Sequence, residues 1–571
     1  MQGKIFIDSP NYNRIYLINS DSKIELNQLE EIKFFNTDIV NYDIINNQIE
    51  IINSDIIQGR QKIAGKLIIE STTKYGLNKR KIPYYLFKPF DWRYPNFLVA
   101  SSHKKRENLY LEIKFHKWER KIPYGIIETM IGPASDNNNL FEVILANFNI
   151  RKKNIEKLLP KEIPDNLENI RHNFFENNVI TIDPEGCLDM DDALHFEKIN
   201  SEKYQIGIHI TDVTNYLEIN SDIDLEAKKR LTSVYAPHKV INMLPKILSE
   251  NYCSLIQGKE RLTITVLVDF DSTGNIINYQ IVPGLIKVSN NYTYSGFENN
   301  LKSDLYLNEF YEFSKKINFH NDNSEFDSHK MVEKLMILAN HLVCKDLIEN
   351  NHSKILIRTH QNSENQELNK IPKEIYNELF FKFMNSAKYQ IYDKNNSDYH
   401  FGLNLNDYTH FTSPIRRYAD IIIHRLIKNR WLDINNNSQL EDNLVEEINQ
   451  KNKIVKKLDR EFKIYQIIDK IYDLPELNAY ITEFHESTKV TIFIPEFKVE
   501  LKTQLIHSKI MNLFSISTDL NQISIHNNQN NQEIILEKYQ KIKIKLFEKK
   551  GAKYKIDINF INPNFKDFLE G

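Results

Sequence analysis

The sequence has few cysteines and no excess of charge of one sign. Its 571 residues include only three cysteines, Cys187, Cys253 and Cys344, and these lie far apart without the spacing of a metal site. A disulfide framework is therefore excluded, and a reducing compartment is favoured. The formal net charge is −3, so the chain as a whole lacks the basic excess typical of nucleic-acid binding, and any such binding must come from local patches.

Long apolar runs are also missing from the sequence. No run reaches the length needed to span a membrane, and the polar N-terminal residues contain no apolar signal-peptide core. We therefore expect an intracellular protein in the cytoplasm, with the nucleus left open, and no membrane partner. At 571 residues the chain is long enough for about three to five globular domains.

The stretch with the most chemical information is 181–195, Thr-Ile-Asp-Pro-Glu-Gly-Cys-Leu-Asp-Met-Asp-Asp-Ala-Leu-His. It follows a β-branched run that predicts a strand at 179–182. Pro184 and Gly186 then prevent a regular helix, so the next residues form a loop. Four acids of this stretch are free to converge on one point: Asp183, Asp189, Asp191 and Asp192.

Converging carboxylates repel each other by about 1 kcal/mol per pair at 4 Å in water, and by more in a sheltered site. A hard divalent cation such as Mg²⁺, which prefers oxygen ligands, relieves that repulsion. The alternative is a solvated acidic turn. An EF-hand calcium loop is excluded, because Leu188 and Leu194 stand where glycine and glutamate are required.

A second informative segment, 410–420, has the sequence His-Phe-Thr-Ser-Pro-Ile-Arg-Arg-Tyr-Ala-Asp. Thr412 and Ser413 are placed as helix N-caps and Pro414 as a helix start. Hydroxyl groups and arginines at a helix N-terminus form a phosphate-binding arrangement. The alternative is an ordinary structural cap, because caps with nearby arginines are common.

The periodicity of the chain predicts β structure at both ends and a mixed domain between them. Short alternating runs within 1–165 fit two small barrels of the OB type, a fold that binds single-stranded nucleic acid. The middle predicts strands at 204–213 and 261–284 and helices at 222–233, 331–349, 374–389, 420–431 and 440–473.

The tail from residue 476 predicts strands again and contains a lysine-rich segment. Between Lys538 and Lys555 there are eight lysines and one acid, Glu548. Lysines 541, 543 and 545 share one face of a strand. They form either an RNA-facing stripe or the lysine protection of an exposed edge strand.

The acidic stretch and the 410–420 segment together resemble the RNB exoribonuclease family, which includes ribonuclease II and ribonuclease R. The resembling patterns are Thr-Ile-Asp-x5-Asp-x-Asp-Asp and His-Phe-Thr-Ser-Pro-Ile-Arg-Arg-Tyr-Ala-Asp. Further matches lie at 208–213, 233–235, 243–245, 253–255, 336–340, 358–360 and 400–403. The eukaryotic branch, which contains the exosome's catalytic subunit, is the more similar at 86–95, 122–125, 184–187 and 191–195.

This resemblance implies a multidomain α+β protein with a mixed α/β RNB catalytic domain flanked by small β-barrel OB domains of the cold-shock type. We place the domains at 1–85 and 86–165 (cold-shock-type OB), 171–475 (RNB) and 476–571 (C-terminal OB). The implied activity is processive 3′→5′ hydrolysis of single-stranded RNA to nucleoside 5′-monophosphates, with Mg²⁺ or alternatively Mn²⁺. A catalytically inactive, RNA-binding RNB protein is the alternative. We expect a monomer. Exosome association is not expected, because no PIN domain precedes residue 1.

Residue by residue, the resemblance makes Asp183, Asp189 and Asp192 metal ligands. It assigns Asp191 to a second metal or to the attacking water, and Arg416 to the scissile phosphate. Tyr235 matches an aromatic that stacks on the 3′ nucleotide, although it also fits a packed core residue.

The remaining expected substrate contacts are weaker matches. They are His410, Thr412, Ser413, Arg417 and Asp459. Arg417 equally fits a structural salt bridge. Asp459 is a departure, because bacterial members carry the longer glutamate there. A second stacking aromatic is not identified.

Overall fold

A computed structural model of the protein describes the following residues: 2–7, 14–19, 23–26, 33–45, 48–55, 61–73, 75–119, 121–150, 153–158, 165–237, 239–319, 325–350, 354–361, 370–383, 386–394, 399–432, 440–485, 488–506, 511, 513–549, 555–564 and 568. The chain divides into two compact units. One contains Met1–Ile150 and Lys456–Gly571, and the other contains Arg151–Val455. In the described part of the chain, no helix is long and apolar enough to cross a membrane.

The first unit begins with a five-stranded antiparallel sheet in the order β3-β2-β1-β4-β5. The strands are β1 Gln2–Ile7, β2 Ile15–Ile18, β3 Lys23–Glu25, β4 Ile39–Ile45 and β5 Gln48–Asp55. Alternate residues of β1 are buried, among them Ile5 and Ile7, so the predicted period of two places one face of the sheet against a core.

A closed five-stranded barrel follows, in the order β10-β8-β7-β6-β9. Its strands are β6 Ile63–Ile68, β7 Tyr84–Pro89, β8 Phe97–Ala100, β9 Leu109–Lys117 and β10 Tyr124–Pro133, and helix α1 Asn137–Asn147 comes after it. The predicted boundary between the first two domains, at residues 85 and 86, cuts through this barrel. Strand β6 lies before the boundary and pairs with β7 and β9. A local pattern does not reveal such a pairing between distant strands.

The second unit contains a six-stranded sheet in which an additional strand pairing closes a ring. The strands of the sheet are β11 His172–Asn173, β12 Val179–Asp183, β13 Asp192–Lys198, β14 Lys203–Thr211, β17 Glu260–Asp271 and β18 Ile276–Thr293. The order is β11-β18-β12-β13-β14-β17, and the long strand β18 also pairs with β17. Between β14 and β17, a hairpin is formed by β15 Val234–Ala236 and β16 Lys239–Ile241.

The remaining elements of this unit include six helices and a two-stranded sheet. The helices are α2 Asp222–Arg230, α3 Tyr294–Asn300, α4 Leu305–Lys316, α5 Ser328–Glu349, α6 Tyr376–Phe383 and α7 Tyr418–Trp431. The sheet pairs β19 Leu356–Thr359 with β20 Lys388–Ile391. The helix predicted over 374–389 extends too far. Residues 388–391 form strand β20, because they pair with β19. Helix α8 Asp442–Lys470 crosses the division between the two units.

The tail of the chain belongs to the first unit and forms two sheets. The five-stranded sheet has the order β23-β22-β21-β27-β28, and the three-stranded sheet has the order β24-β25-β26. The strands are β21 Leu477–His485, β22 Lys489–Ile494, β23 Val499–Gln504, β24 Phe514–Thr518, β25 Gln522–Asn527, β26 Glu533–Glu537, β27 Lys541–Lys549 and β28 Lys555–Asn562. With the barrel and sheets of its first unit and the mixed α/β structure of its second unit, the fold confirms the predicted multidomain α+β class.

Candidate active site

The acidic stretch is the connection between two neighbouring antiparallel strands. Asp183 is the last residue of β12 and Asp192 the first residue of β13. Gly186 lies between them with φ +76°, a left-handed conformation that side chains with a Cβ rarely adopt. The structure thus confirms the predicted strand followed by a loop, and it explains why glycine stands at position 186.

Asp191 joins this loop to the segment that contains Arg416. Its Oδ1 accepts a hydrogen bond from the backbone N–H of Ile415 at 2.9 Å, and its Oδ2 lies 3.3 Å from Nε of Arg416. Asp191 is buried, whereas the Arg416 side chain is 46% exposed. Two motifs separated by more than 200 residues therefore meet at one carboxylate, and the arginine remains accessible to a substrate.

The segment around Arg416 is a turn, which corrects the predicted helix start at Pro414. Helix α7 begins at Tyr418, and neither Thr412 nor Ser413 is its N-cap. The cause is Asp420, whose Oδ1 accepts the backbone N–H of Ser413 at 2.7 Å. Ser413 still contributes to the site, because its Oγ accepts a hydrogen bond from Nη2 of Arg416 at 2.9 Å.

Arg417 points to a different partner from Arg416. Its Nε and Nη2 donate to the two carboxylate oxygens of Asp420 at 3.0 and 2.8 Å. Asp420 is fully buried, so the pair is a two-pronged structural salt bridge. This geometry favours the structural alternative for Arg417.

Tyr235 lies on the β15–β16 hairpin and reaches the acidic loop. Its hydroxyl donates to Oδ2 of Asp189 at 2.5 Å, and the residue is 48% exposed. The segment leading into the hairpin is held to the Arg416 turn, because the backbone N–H of Ser233 donates to the Arg416 carbonyl at 3.0 Å. Tyr235 is therefore a surface aromatic of the site and not a core residue.

Burial and mutual repulsion raise the proton affinity of the acids. Burial raises the pKa of Asp191 far above its ordinary value, although Arg416 opposes this. Burial, with the nearby Asp183, raises the pKa of Asp192 to about 7. Burial also raises the pKa of Asp183. Carboxylates held in this way are stabilised by positive charge, and Arg416 supplies one such charge.

The donor set fits a divalent cation in its chemistry. Asp183 Oδ2 is buried and has no hydrogen-bond partner among the described residues, as expected of an oxygen that ligates a cation. Other oxygens of the loop are engaged: Asp189 accepts from Tyr235, and its Oδ1 lies 3.7 Å from the Cys187 thiol. In the described part of the chain, no three His, Cys, Asp or Glu side chains are grouped closely enough to hold a metal ion. The ligand assignment of the four acids therefore stays a prediction.

Tyr294 is a site residue that the sequence did not indicate. It follows Thr293, which pairs with Asp183 across β18 and β12. Burial raises the pKa of Tyr294 to about 12, and the charges of Asp192 and Asp183 add to this increase. The ring stacks on His329 with the two centroids 3.7 Å apart. Only the pairing of strands distant in the chain brings Tyr294 there, so no local motif could have identified it.

The other predicted substrate residues lie in different surroundings. His410 Nδ1 is hydrogen-bonded to the Tyr389 hydroxyl at 2.5 Å. Thr412, two residues further along the chain, is buried. Asp459 is on the part of α8 that belongs to the first unit, where it pairs with Lys463 at 3.1 Å. The acidic loop, Arg416, Ser413 and Tyr235 are therefore brought together, whereas Arg417 is directed to Asp420.

Comparisons with known proteins show what the second unit is similar to. The RNB domain family matches residues 171–432. The chain is similar to Ribonuclease R 2 of Lactococcus lactis subsp. lactis (strain IL1403), with 29% identity over 341 residues, covering 48% of this chain and 50% of that protein. It is also similar to the exosome complex exonuclease RRP44 of Mus musculus, with 26% identity over 425 residues, covering 60% and 44%. The matches thus span about half the length of these relatives.

Solved structures show the same fold over nearly the whole chain. Mycoplasma genitalium RNase R in complex with ribose methylated single-stranded RNA has a TM-score of 0.77 at 19% identity, covering 98% of this chain and 100% of that one. Yeast Ssd1, described as a pseudonuclease, has a TM-score of 0.73 at 18% identity, covering 99% and 97%. At these identities the likeness concerns the fold.

Proposed function

Because residues 171–432 of this chain match the RNB domain family, we propose that it is a 3′→5′ exoribonuclease that hydrolyses single-stranded RNA to nucleoside 5′-monophosphates. One observation carries the proposal: the four-acid loop and the Arg416 turn meet through Asp191, which accepts from Ile415 and Arg416. The names of the relatives, ribonuclease R and an exosome exonuclease, agree with it. A solved RNase R in complex with single-stranded RNA supports that form of the substrate.

The accessible side chains of the site suit an RNA end. The Arg416 guanidinium is held by Asp191 and Ser413, so it can donate to a phosphate oxygen and stabilise the negative charge that develops there. The exposed ring of Tyr235 can stack on a base, an interaction that contributes about 1–3 kcal/mol. These groups hold the terminal nucleotide against the acidic loop.

We also propose Mg²⁺, with Mn²⁺ as the alternative, as the cofactor. Asp183, Asp189, Asp191 and Asp192 would hold it, since carboxylate oxygens are the ligands that these cations prefer. When bound, such a cation supplies a more acidic water and neutralises phosphate charge. The buried Asp183 oxygen without a described partner supports this assignment.

The direct test uses single-stranded RNA labelled at its 5′ end, with the purified chain and either Mg²⁺ or EDTA. We expect progressively shorter labelled RNA and released nucleoside 5′-monophosphates with Mg²⁺, and intact RNA with EDTA. Release of the label as the first product would mean the opposite polarity. An internal cut without mononucleotides would contradict exonucleolytic hydrolysis.

An RNA-binding protein without nuclease activity is the second candidate. The likeness to yeast Ssd1, described as a pseudonuclease, favours it because that fold covers 99% of this chain. The four acids argue against it, since a protein without catalysis gains nothing from carboxylates that repel one another. In the same assay, a shifted but intact RNA band with Mg²⁺ would identify a binding protein.

A further inference from the structure

Three arginines lie near His410, and one of them has no acidic partner among the residues that the structure describes. Arg417, Arg358 and Arg416 each lower the pKa of His410, in addition to the larger effect of burial. Arg417 is paired with Asp420 and Arg416 with Asp191. Among the described residues, the Arg358 guanidinium has neither an ion pair nor a hydrogen bond. Within the described part of the chain, the cluster therefore carries one positive charge without a counter-ion.

The Arg358 side chain is held in place by an aromatic ring. Arg358 on β19 stands opposite Tyr389 on β20, and its Cζ lies 4.9 Å from the centre of the Tyr389 ring. A guanidinium over an aromatic face is oriented by a cation–π interaction, which leaves its N–H groups free to donate. The Tyr389 hydroxyl is in turn bonded to His410, so the position of this ring is fixed from its far end.

Strand β19 also lies beside the segment that leads to the Arg416 turn. The backbone N–H of Arg358 donates to the carbonyl of Tyr408 at 2.7 Å, and the Thr409 hydroxyl donates to the carbonyl of Leu356 at 2.6 Å. Four residues after Thr409 comes Ser413, which contacts Arg416. Arg358 is thus attached to the same segment that positions the proposed phosphate-binding arginine.

We propose that Arg358 binds a phosphodiester group of the RNA backbone, next to the one that Arg416 contacts. This proposal rests on the proposed function and adds a second anion site to it. The planar fork of N–H donors in a guanidinium matches two phosphate oxygens. A half-buried cation without a counter-ion is also stabilised when an anion binds, because the anion offsets the lost hydration.

The test measures RNA binding in EDTA, so that no cleavage occurs. Fluorescence anisotropy of a labelled oligoadenylate is recorded over a range of KCl concentrations for wild type, Arg358→Gln and Arg358→Lys. Arg358→Gln should bind more weakly, and the slope of log K against log[KCl] should be smaller by about 0.7, the value for one lost phosphate contact on a single strand. Arg358→Lys keeps the charge and should keep the slope.

Lys316→Gln is the matched control. Lys316 lies against Gly274, at the turn end of the 18-residue strand β18, whereas Thr293 at the other end pairs with Asp183. This substitution should leave the slope at the wild-type value. An unchanged slope in Arg358→Gln, or an equal loss in Lys316→Gln, would overturn the proposal.

A readout on the wild-type protein keeps the proposal testable if Arg358→Gln does not fold. Phenylglyoxal modifies accessible guanidinium groups, and mass spectrometry identifies the modified arginines. RNA should protect Arg358 from modification, and equal modification with and without RNA would refute the contact. A protein that binds RNA but does not degrade it with Mg²⁺ would disprove the proposed function and leave the binding result for Arg358 intact.

Discussion

At the scale of single residues, Tyr235 has two separable parts, a ring and a hydroxyl. The ring is exposed and suits stacking, whereas the hydroxyl donates to Asp189 at 2.5 Å. Groups that hydrogen-bond a metal ligand orient it, and their loss typically costs about 10–100-fold in metal affinity or activity. The two parts of Tyr235 should therefore respond differently to substitution.

We predict that Tyr235→Phe raises the Mg²⁺ concentration needed for half-maximal RNA degradation by about 10-fold or more, because Asp189 loses its orienting donor. RNA affinity in EDTA should stay within about twofold, since the stacking ring is retained. A Mg²⁺ titration of degradation and an anisotropy titration in EDTA measure the two effects.

Tyr252→Phe serves as the control for this prediction. Tyr252 is 46% exposed and stacks on Tyr216, so its variant should match wild type in both measurements. A wild-type Mg²⁺ requirement in Tyr235→Phe would mean that the hydroxyl does not position Asp189.

At the scale of elements, Asp212 ties together three parts of the second unit. It follows β14 and is fully buried, and its carboxylate accepts from Arg171 at 2.9 Å and from Lys428 of α7 at 3.1 Å. Burial alone would raise the pKa of Asp212, but Lys428 and Arg171 lower it well below its ordinary value. Ionised Asp212 therefore stabilises the fold.

We predict an acid-sensitive contribution to stability from Asp212. Because its folded-state pKa lies below the unfolded value of about 3.9, the stabilisation is fully present above that pH and is lost as the pH falls through the folded-state pKa. Asp212→Asn should lower the free energy of unfolding at pH 7 by about 3–5 kcal/mol, because it removes the buried carboxylate that pairs with Lys428 and leaves Arg171 with Asp165 as its acidic partner. The urea midpoint of the variant should also fall less between pH 7 and pH 3 than that of wild type.

Glu202→Gln provides the comparison for this measurement, because Glu202 is an exposed acid in a turn of the same unit. Its midpoints should follow wild type at every pH. An Asp212→Asn profile that runs parallel to wild type would show that Asp212 does not cause the acid sensitivity.

The lysine stripe of the tail also belongs to the scale of elements. Strand β27 pairs with both β21 and β28, so it is an interior strand, and protection of an exposed edge does not explain its lysines. Lys541, Lys543 and Lys545 are exposed while the residues between them are buried. Lys543 also pairs with Glu476 at 3.0 Å, which reduces its share of any contact to RNA.

We predict that the triple change of Lys541, Lys543 and Lys545 to Gln lowers the slope of log K against log[KCl] for single-stranded RNA by up to about 2, at 0.7 per phosphate contact. Changing Lys302, Lys315 and Lys316 of the second unit to Gln removes the same charge and should leave the slope unaltered. If the stripe variant retained the wild-type slope, the stripe would not contact RNA.

Across the whole molecule, local sequence patterns predict the strands, helices and loops that are set by residues close together in the chain. The strand predicted at 204–213 is β14, and the helices predicted at 331–349 and 420–431 are α5 and α7. The predicted ends of these elements agree with the structure to within a few residues. The predicted loop after a strand is present and contains Asp189 and Asp191, whereas Asp183 ends β12 and Asp192 begins β13. Each of these features is set by residues that lie close together in the chain.

Features that depend on distant residues could not be predicted. Strand β6 belongs to the barrel because β9 pairs with it. Tyr294 follows directly after Thr293, which pairs with Asp183. The helix expected at Pro414 begins at Tyr418, since Asp420 binds the Ser413 backbone. In each case a pairing or a hydrogen bond of the folded chain overrides the local preference.

In the proposed function, the acidic loop and the Arg416 turn form one nuclease site through Asp191. Its most direct test is the rate of mononucleotide release from single-stranded RNA with Mg²⁺ for wild type and Asp191→Asn, with circular dichroism to verify folding. We predict that wild type degrades the RNA and that the variant is slower by at least about 100-fold, because a carboxylate charge at the proposed metal site is lost. A folded Asp191→Asn variant that degrades RNA within a few-fold of the wild-type rate would contradict the account.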